Sequence, residues 1–150
     1  MVSRTLIQMI EDHCESITVR IVRKLREDPL LPHMGKLPDS ELRDRVQDVV
    51  KNLGHWLVPG QEGEIARRYE LLGRRRHEES IPLHEVVRAL HTLKDGILDH
   101  VREQGLGRTA VQLYVEEELE QRVSRFFDGA VYHVVCGYEG AMHRAAHVAR

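Results

Sequence analysis

Apolar side chains recur every three or four residues along nearly the whole chain, and strict apolar–polar alternation is almost absent. That spacing lines one face of a helix, whereas a half-buried strand needs a period of two. A chain patterned this way folds by packing helical stripes on one another, so the fold class is all-α, either a helical bundle or a globin-like packing.

Five helices are read from the pattern. The first covers about 3–27, with Leu6, Ile10, Ile17, Ile21 and Leu25 on one face, and Asp28-Pro29 ends it because the residue before proline avoids helical angles. The segment Pro29–Pro38 reads as a loop. A second helix starts near Pro38-Asp39-Ser40, buries Leu42, Val46, Val49, Val50, Leu53 and Trp56, and breaks at Val58-Pro59-Gly60. A third covers about 61–77. Glu62 and Glu64 in its first turn and Arg74, Arg75 and Arg76 in its last complement the helix dipole, so the arginine run is first a helix end.

Pro82 opens a fourth helix, with Ser80 placed to cap it, and Gly105 and Gly107 end it. Thr109 followed three residues later by Gln112 has the form of a capping box. The fifth helix then runs to about Ala145, near ~50 Å at 1.5 Å per residue. A helix of that length outreaches a domain of this size, so its end is expected to project.

A length of 150 residues fits one domain, 1–150. A domain of this size buries roughly 70% of its unfolded surface and needs no staple. The two cysteines, Cys14 and Cys136, form no close pair and read as free thiols in a reducing compartment. A net charge of -2 offers no global attraction to nucleic acid, and Glu78 and Glu79 offset the arginine run. No apolar stretch approaches the ~20 residues that span a bilayer. Glu11 and Asp12 stand where a signal peptide would be apolar. A cytoplasmic location, without membrane or nucleic-acid partners, is the expectation.

Candidate chemistry centres on the ten histidines. There is no His-Glu-x-x-His, Walker or Gly-x-Gly-x-x-Gly sequence, and no catalytic triad can be assigned. His143 and His147 share a helix face, but two ligands do not close a metal site, and they read as a solvated tail. His84 followed by Glu85 resembles the phospho-accepting box of sensor kinases, and His84 falls with Arg88, His91 and Asp95 on the polar side of its helix. A histidine phosphotransfer domain using His84 is therefore one alternative. Cys136 falls opposite the apolar centre of its helix, with no basic residue one turn away to activate it.

His133 is different, because Gly129, Gly137 and Gly140 flank it on the fifth helix. A glycine costs roughly 1 kcal/mol in a helix interior, so something must approach that backbone. The usual answer is another helix, including a symmetry mate. The sharper answer is a flat cofactor such as haem, with His133 as axial ligand and His91 as a candidate second ligand. No cofactor is the primary expectation, and haem the alternative.

The stretch Gly60-Gln61-Glu62-Gly63-Glu64-Ile65-Ala66-Arg67-Arg68-Tyr69, with Gly73-Arg74-Arg75-Arg76, Ile81-Pro82-Leu83-His84-Glu85-Val86-Val87-Arg88-Ala89-Leu90 and Phe126-Phe127-Asp128-Gly129-Ala130-Val131-Tyr132-His133, resembles the N-terminal sensor domain of RsbR-type stressosome proteins. The resemblance spans about residues 3–140, and its motifs are packing motifs. It implies a globin-like fold without haem, a dimer through the last two helices, signalling along the fifth, and no catalytic residues. Relatives precede output modules, and no output domain follows Arg150, so the chain reads as an input domain or a stand-alone member. The expected function is a non-enzymatic bacterial signalling input domain that acts as a homodimer on an output domain or partner protein.

Overall fold

A computed structural model describes residues 4–104 and 109–148. Among them are seven α-helices and no strand: α1 (Arg4–Asp12), α2 (Cys14–Glu27), α3 (Asp39–Val50), α4 (Leu53–Leu57), α5 (Glu62–Glu78), α6 (Leu83–Glu103) and α7 (Ala110–Val148). A 3-10 turn, Met34–Lys36, lies between α2 and α3. The all-helical class and the long last helix are as the sequence pattern requires. The helix-ending role expected of Gly105 and Gly107 lies outside the described residues.

Two expected helices are each broken in two, for the same physical reason. At His13 the backbone N–H is shared between the carbonyls of Met9 and Ile10, at 3.2 and 3.1 Å. The imidazole Nδ1 lies 2.7 Å from the same Met9 carbonyl. At the end of α3 the Asp48 carbonyl accepts the Asn52 side-chain amide at 3.2 Å and the Trp56 indole N–H at 2.9 Å. Side-chain donors thus compete for carbonyls that a continuous helix would give to its own amides. Apolar periodicity is blind to that competition.

Ser80 does not cap α6. Pro82 occupies the N-cap position and no side chain caps it. Ser80 instead ends α5 in the left-handed region, at φ 60°. Its N–H donates to the His77 carbonyl and that of Ile81 to the Arg76 carbonyl, each at 3.0 Å. That hydrogen-bond pair is a Schellman closure, with serine where glycine is usual. The capping box at α7 forms as expected: the Gln112 N–H donates to Thr109 Oγ1 at 3.1 Å, and the Thr109 N–H to Gln112 Oε1 at 3.2 Å.

α7 is the spine of the molecule. It packs along α5 and reaches α6, while α2 joins α3 to α6 and α1 sits on α4 and α6. Its buried residues run from Leu119 to Ala141. Its 39 residues span about 58 Å. Val111, Leu113 and Tyr114 before that stretch, and Met142 to Val148 after it, are exposed. Both ends therefore extend beyond the core, where the sequence pointed to one.

Buried charge fastens the helices. Arg76 is only 2% exposed. It donates to Glu79 at 2.6 Å and to Glu41 of α3 at 3.0 Å. Burial pushes the Glu41 carboxyl up, but Arg76 and Arg45 outweigh it and hold it below the usual range. Glu85, 1% exposed, accepts the backbone N–H groups of His33 and Met34 at 2.8 and 3.0 Å, with His33 Nδ1 2.5 Å away. The loop before α3 is thereby tied to the first turn of α6.

Candidate functional site

The candidate site is a cleft of about 490 Å³ between the α4–α5 connection and the outer flank of α7. Its position follows from three local features. Trp56 and Leu57 end α4 facing inward, and Pro59 with Gly60, at φ 95°, turns the chain back into α5. Gln61 and Glu62 then start α5 at the rim, with no side-chain cap from Gln61. Across the opening, α7 presents Arg122, Arg125, Phe126, Gly129 and His133, which the helical repeat gathers on one flank.

The floor is aromatic. Trp56 and Phe126 lie with ring centroids 5.8 Å apart, and Tyr69 and Phe127 pack edge-on against Phe126. Arg68 stacks over the Trp56 ring, 5.1 Å from its centroid. The cationic side is α7. Arg122 pairs with Glu118 one turn away at 3.4 Å, while Arg125 is exposed and has no acidic partner among the described residues.

His133 closes one end of the cleft, its side chain 25% exposed. Its Nδ1 is buried without a hydrogen bond. Glu70 Oε1 lies 3.5 Å from it, within ion-pair range but outside hydrogen-bond geometry. The accessible nitrogen is therefore Nε2. Gly129 has open space beside it: a Cβ there would meet only Ile65 Cγ2, at 3.9 Å.

The other candidate residues lie elsewhere. His91 is exposed on α6 and does not line this cleft, so the structure does not bring His91 and His133 to one cavity. His84 is exposed on α6 while its neighbour Glu85 is buried and engaged with the loop. His143 and His147 stand on the exposed end of α7, and no cluster of three or more metal-ligating residues occurs among the described residues. Cys14 and Cys136 are both unpaired and half-buried.

Cys136 does have basic surroundings that its own helix does not reveal. It lines a groove with Arg67 and Arg74 of α5 and Arg144 of α7. Beside that groove α5 and α7 meet closely at Gly137 and Gly73. A Cβ on Gly137 would lie 2.0 Å from the Glu70 carbonyl oxygen, and one on Gly73 2.1 Å from that of Val134. The close backbone approach expected near His133 is thus made, at Gly137, by α5.

The helical domain just described has a counterpart among known families. The model for the RsbT co-antagonist protein rsbRD N-terminal domain matches residues 15–150. The chain belongs to that family. Among curated proteins and solved structures, none matches it. Membership in the rsbRD N-terminal family makes the chain a stressosome-type signalling input domain, of a regulatory family that is not a known enzyme family. Of the seven helices only α1 lies wholly outside the rsbRD match, and α1 contributes nothing to the cleft. No helix among the described residues is long and apolar enough to cross a membrane.

Proposed function

We propose that this chain is a cytoplasmic signal-input domain that forms a homodimer through α7 and passes its state to an output partner along that helix. The carrying observation is the outward stripe of α7. Tyr114 and Tyr132 are 64% and 65% exposed, and Gly140 meets nothing of the core, only Arg144 of its own helix at 3.5 Å. A helix glycine left unused by the chain's own packing suits the close approach of a second helix. Residues in register with it, including Cys136, continue the stripe. α6 contributes none of the large exposed apolar side chains, and its outer face carries His84, Arg88, His91 and Asp95. The dimer contact therefore falls on α7, with the flanking Leu71 of α5, and not on the last two helices equally.

Signalling by this arrangement needs two packings of α7 that differ by a few kcal/mol, one of them favoured by ligand or partner. Sedimentation across a concentration series tests the dimer. The expected outcome is a dimer for the unaltered chain and a folded monomer for Gly140→Arg. A monomer at every concentration overturns the reading.

A haem-bearing sensor is a second reading, favoured by one observation: His133 has its Nδ1 buried and its Nε2 open toward the cleft, which leaves Nε2 free to act as an axial ligand. It would use His133 without His91. A Soret band on addition of haem, lost in His133→Ala, supports it; a featureless spectrum removes it.

A further inference from the structure

We infer that the cleft beside α7 binds a small amphipathic carboxylate, an apolar body with one anionic end. Taking this ligand as the domain's stimulus rests on the input-domain reading; the binding itself rests on the cleft alone.

Shape and chemistry both point there. The floor is formed by Trp56 and Phe126, which suits a hydrocarbon chain or ring. The α7 side offers Arg122 and Arg125, nearly one turn apart, and Arg125 has no acidic partner among the described residues. Among the described residues, Glu62 is the only acidic side chain of the lining, and it is exposed at the rim. The lining is thus cationic on one side and apolar beneath, which favours a carboxylate over a neutral or cationic ligand. A guanidinium matches a carboxylate in charge and in forked geometry. Gly129 keeps the space between the two sides open, since no side chain occupies it. A ligand seated there would touch Arg122, Arg125 and Gly129 on α7 and the α4–α5 connection at once, so occupancy couples to the packing of the helix that carries the dimer stripe.

Trp56 is the sole tryptophan of the chain, and it lines the cleft. Its fluorescence reports occupancy without a label. The experiment titrates the full chain with octanoate at neutral pH and, in parallel, with octanol as the uncharged counterpart. The expected result is a saturable change in Trp56 emission with octanoate, and binding of octanol about tenfold weaker or more, the loss that removing one charged partner produces. Arg125→Ala should weaken octanoate by a similar factor and leave octanol unchanged. Gly129→Leu, whose side chain fills open space, should abolish both while keeping the helical circular-dichroism signal. Equal binding of octanol and octanoate, no saturable change, or full octanoate binding by Gly129→Leu each overturns the inference. Sedimentation of the same samples keeps the two readings separate: a monomer that binds octanoate overturns only the dimer, and a dimer that does not overturns only the ligand.

Discussion

Gly73 of α5 and Gly137 of α7 are reciprocal: each leaves the space that the backbone of the other's helix occupies. The missing Cβ atoms would stand 2.1 and 2.0 Å from carbonyl oxygens of the facing helix. Backbone cannot yield as the end of a side chain can, so either alanine forces the helices apart. Gly137→Ala and Gly73→Ala are expected to destabilise by about 3 kcal/mol or more, at the top of the range for overpacking. In a protein of this size each kcal/mol shifts the melting temperature by roughly 2–4 °C. Gly129→Ala is the control: the nearest atom to its Cβ is an ordinary contact at 3.9 Å. Removing a glycine from a helix there should stabilise by up to about 1 kcal/mol. Thermal melts of the three variants check the contrast.

Ser80 carries a backbone conformation that glycine adopts without cost. It sits at φ 60° in the closure of α5. Left-handed angles cost an L-residue roughly 1–2 kcal/mol, so Ser80→Gly should raise stability by up to about 1 kcal/mol once the added freedom of the unfolded chain is set against it. A fall in melting temperature would show that the serine side chain makes a compensating contact.

Glu85 holds two amides that have no other partner in the loop before α3. Burial raises its carboxyl, but the hydrogen bonds from Met34 and His33 win and hold it below its ordinary range. Glu85→Ala strands those amides and should cost about 3 kcal/mol. Amide hydrogen exchange at His33 and Met34 should quicken with it. Because the folded-state value is depressed, the stability Glu85 contributes is present above pH 4.5 and is lost as pH falls through the folded value.

His100 gives a second pH window, at milder acidity. It is buried, its Nε2 has no hydrogen bond, and its ring lies 5.2 Å from that of His13. Burial, followed by the charge of His13, holds the imidazole below 6.5, with Arg20 adding to that and Glu103 opposing it. The unfolded chain therefore takes up this proton first. Stability is intact above pH 6.5 and declines as pH falls toward the lower folded value. The difference between melting curves of the unaltered chain and His100→Leu, followed against pH, isolates the effect: the gap should shift in favour of the variant on acidification, and a pH-independent gap refutes it.

Much of this architecture is written locally. The stripe Leu83 to Val101 becomes the buried face of α6, and Thr109 with Gln112 closes on itself as a capping box should. His133 was singled out by its flanking glycines, and it does line the cleft. The cleft's arginines were not legible. Arg122 and Arg125 look like any solvated helix positions until Trp56, some seventy residues earlier, is brought beneath them. Arg76 was legible as a helix-end charge, and its burial was not, because Glu41 reaches it from another helix.

The sequence alone determined the helical class, the buried face of each helix and most helix ends, since these depend on periods of three to four residues and on the chemistry of neighbours in the chain. The tertiary structure decided which faces meet. It set the α5–α7 crossing at Gly73 and Gly137, broke the first helix at His13 and the second near Asn52, and chose Ser80 as the end of α5 in place of the start of α6. Those outcomes turn on distances between groups remote in sequence and on which donor reaches a given carbonyl first, and periodicity carries no record of either.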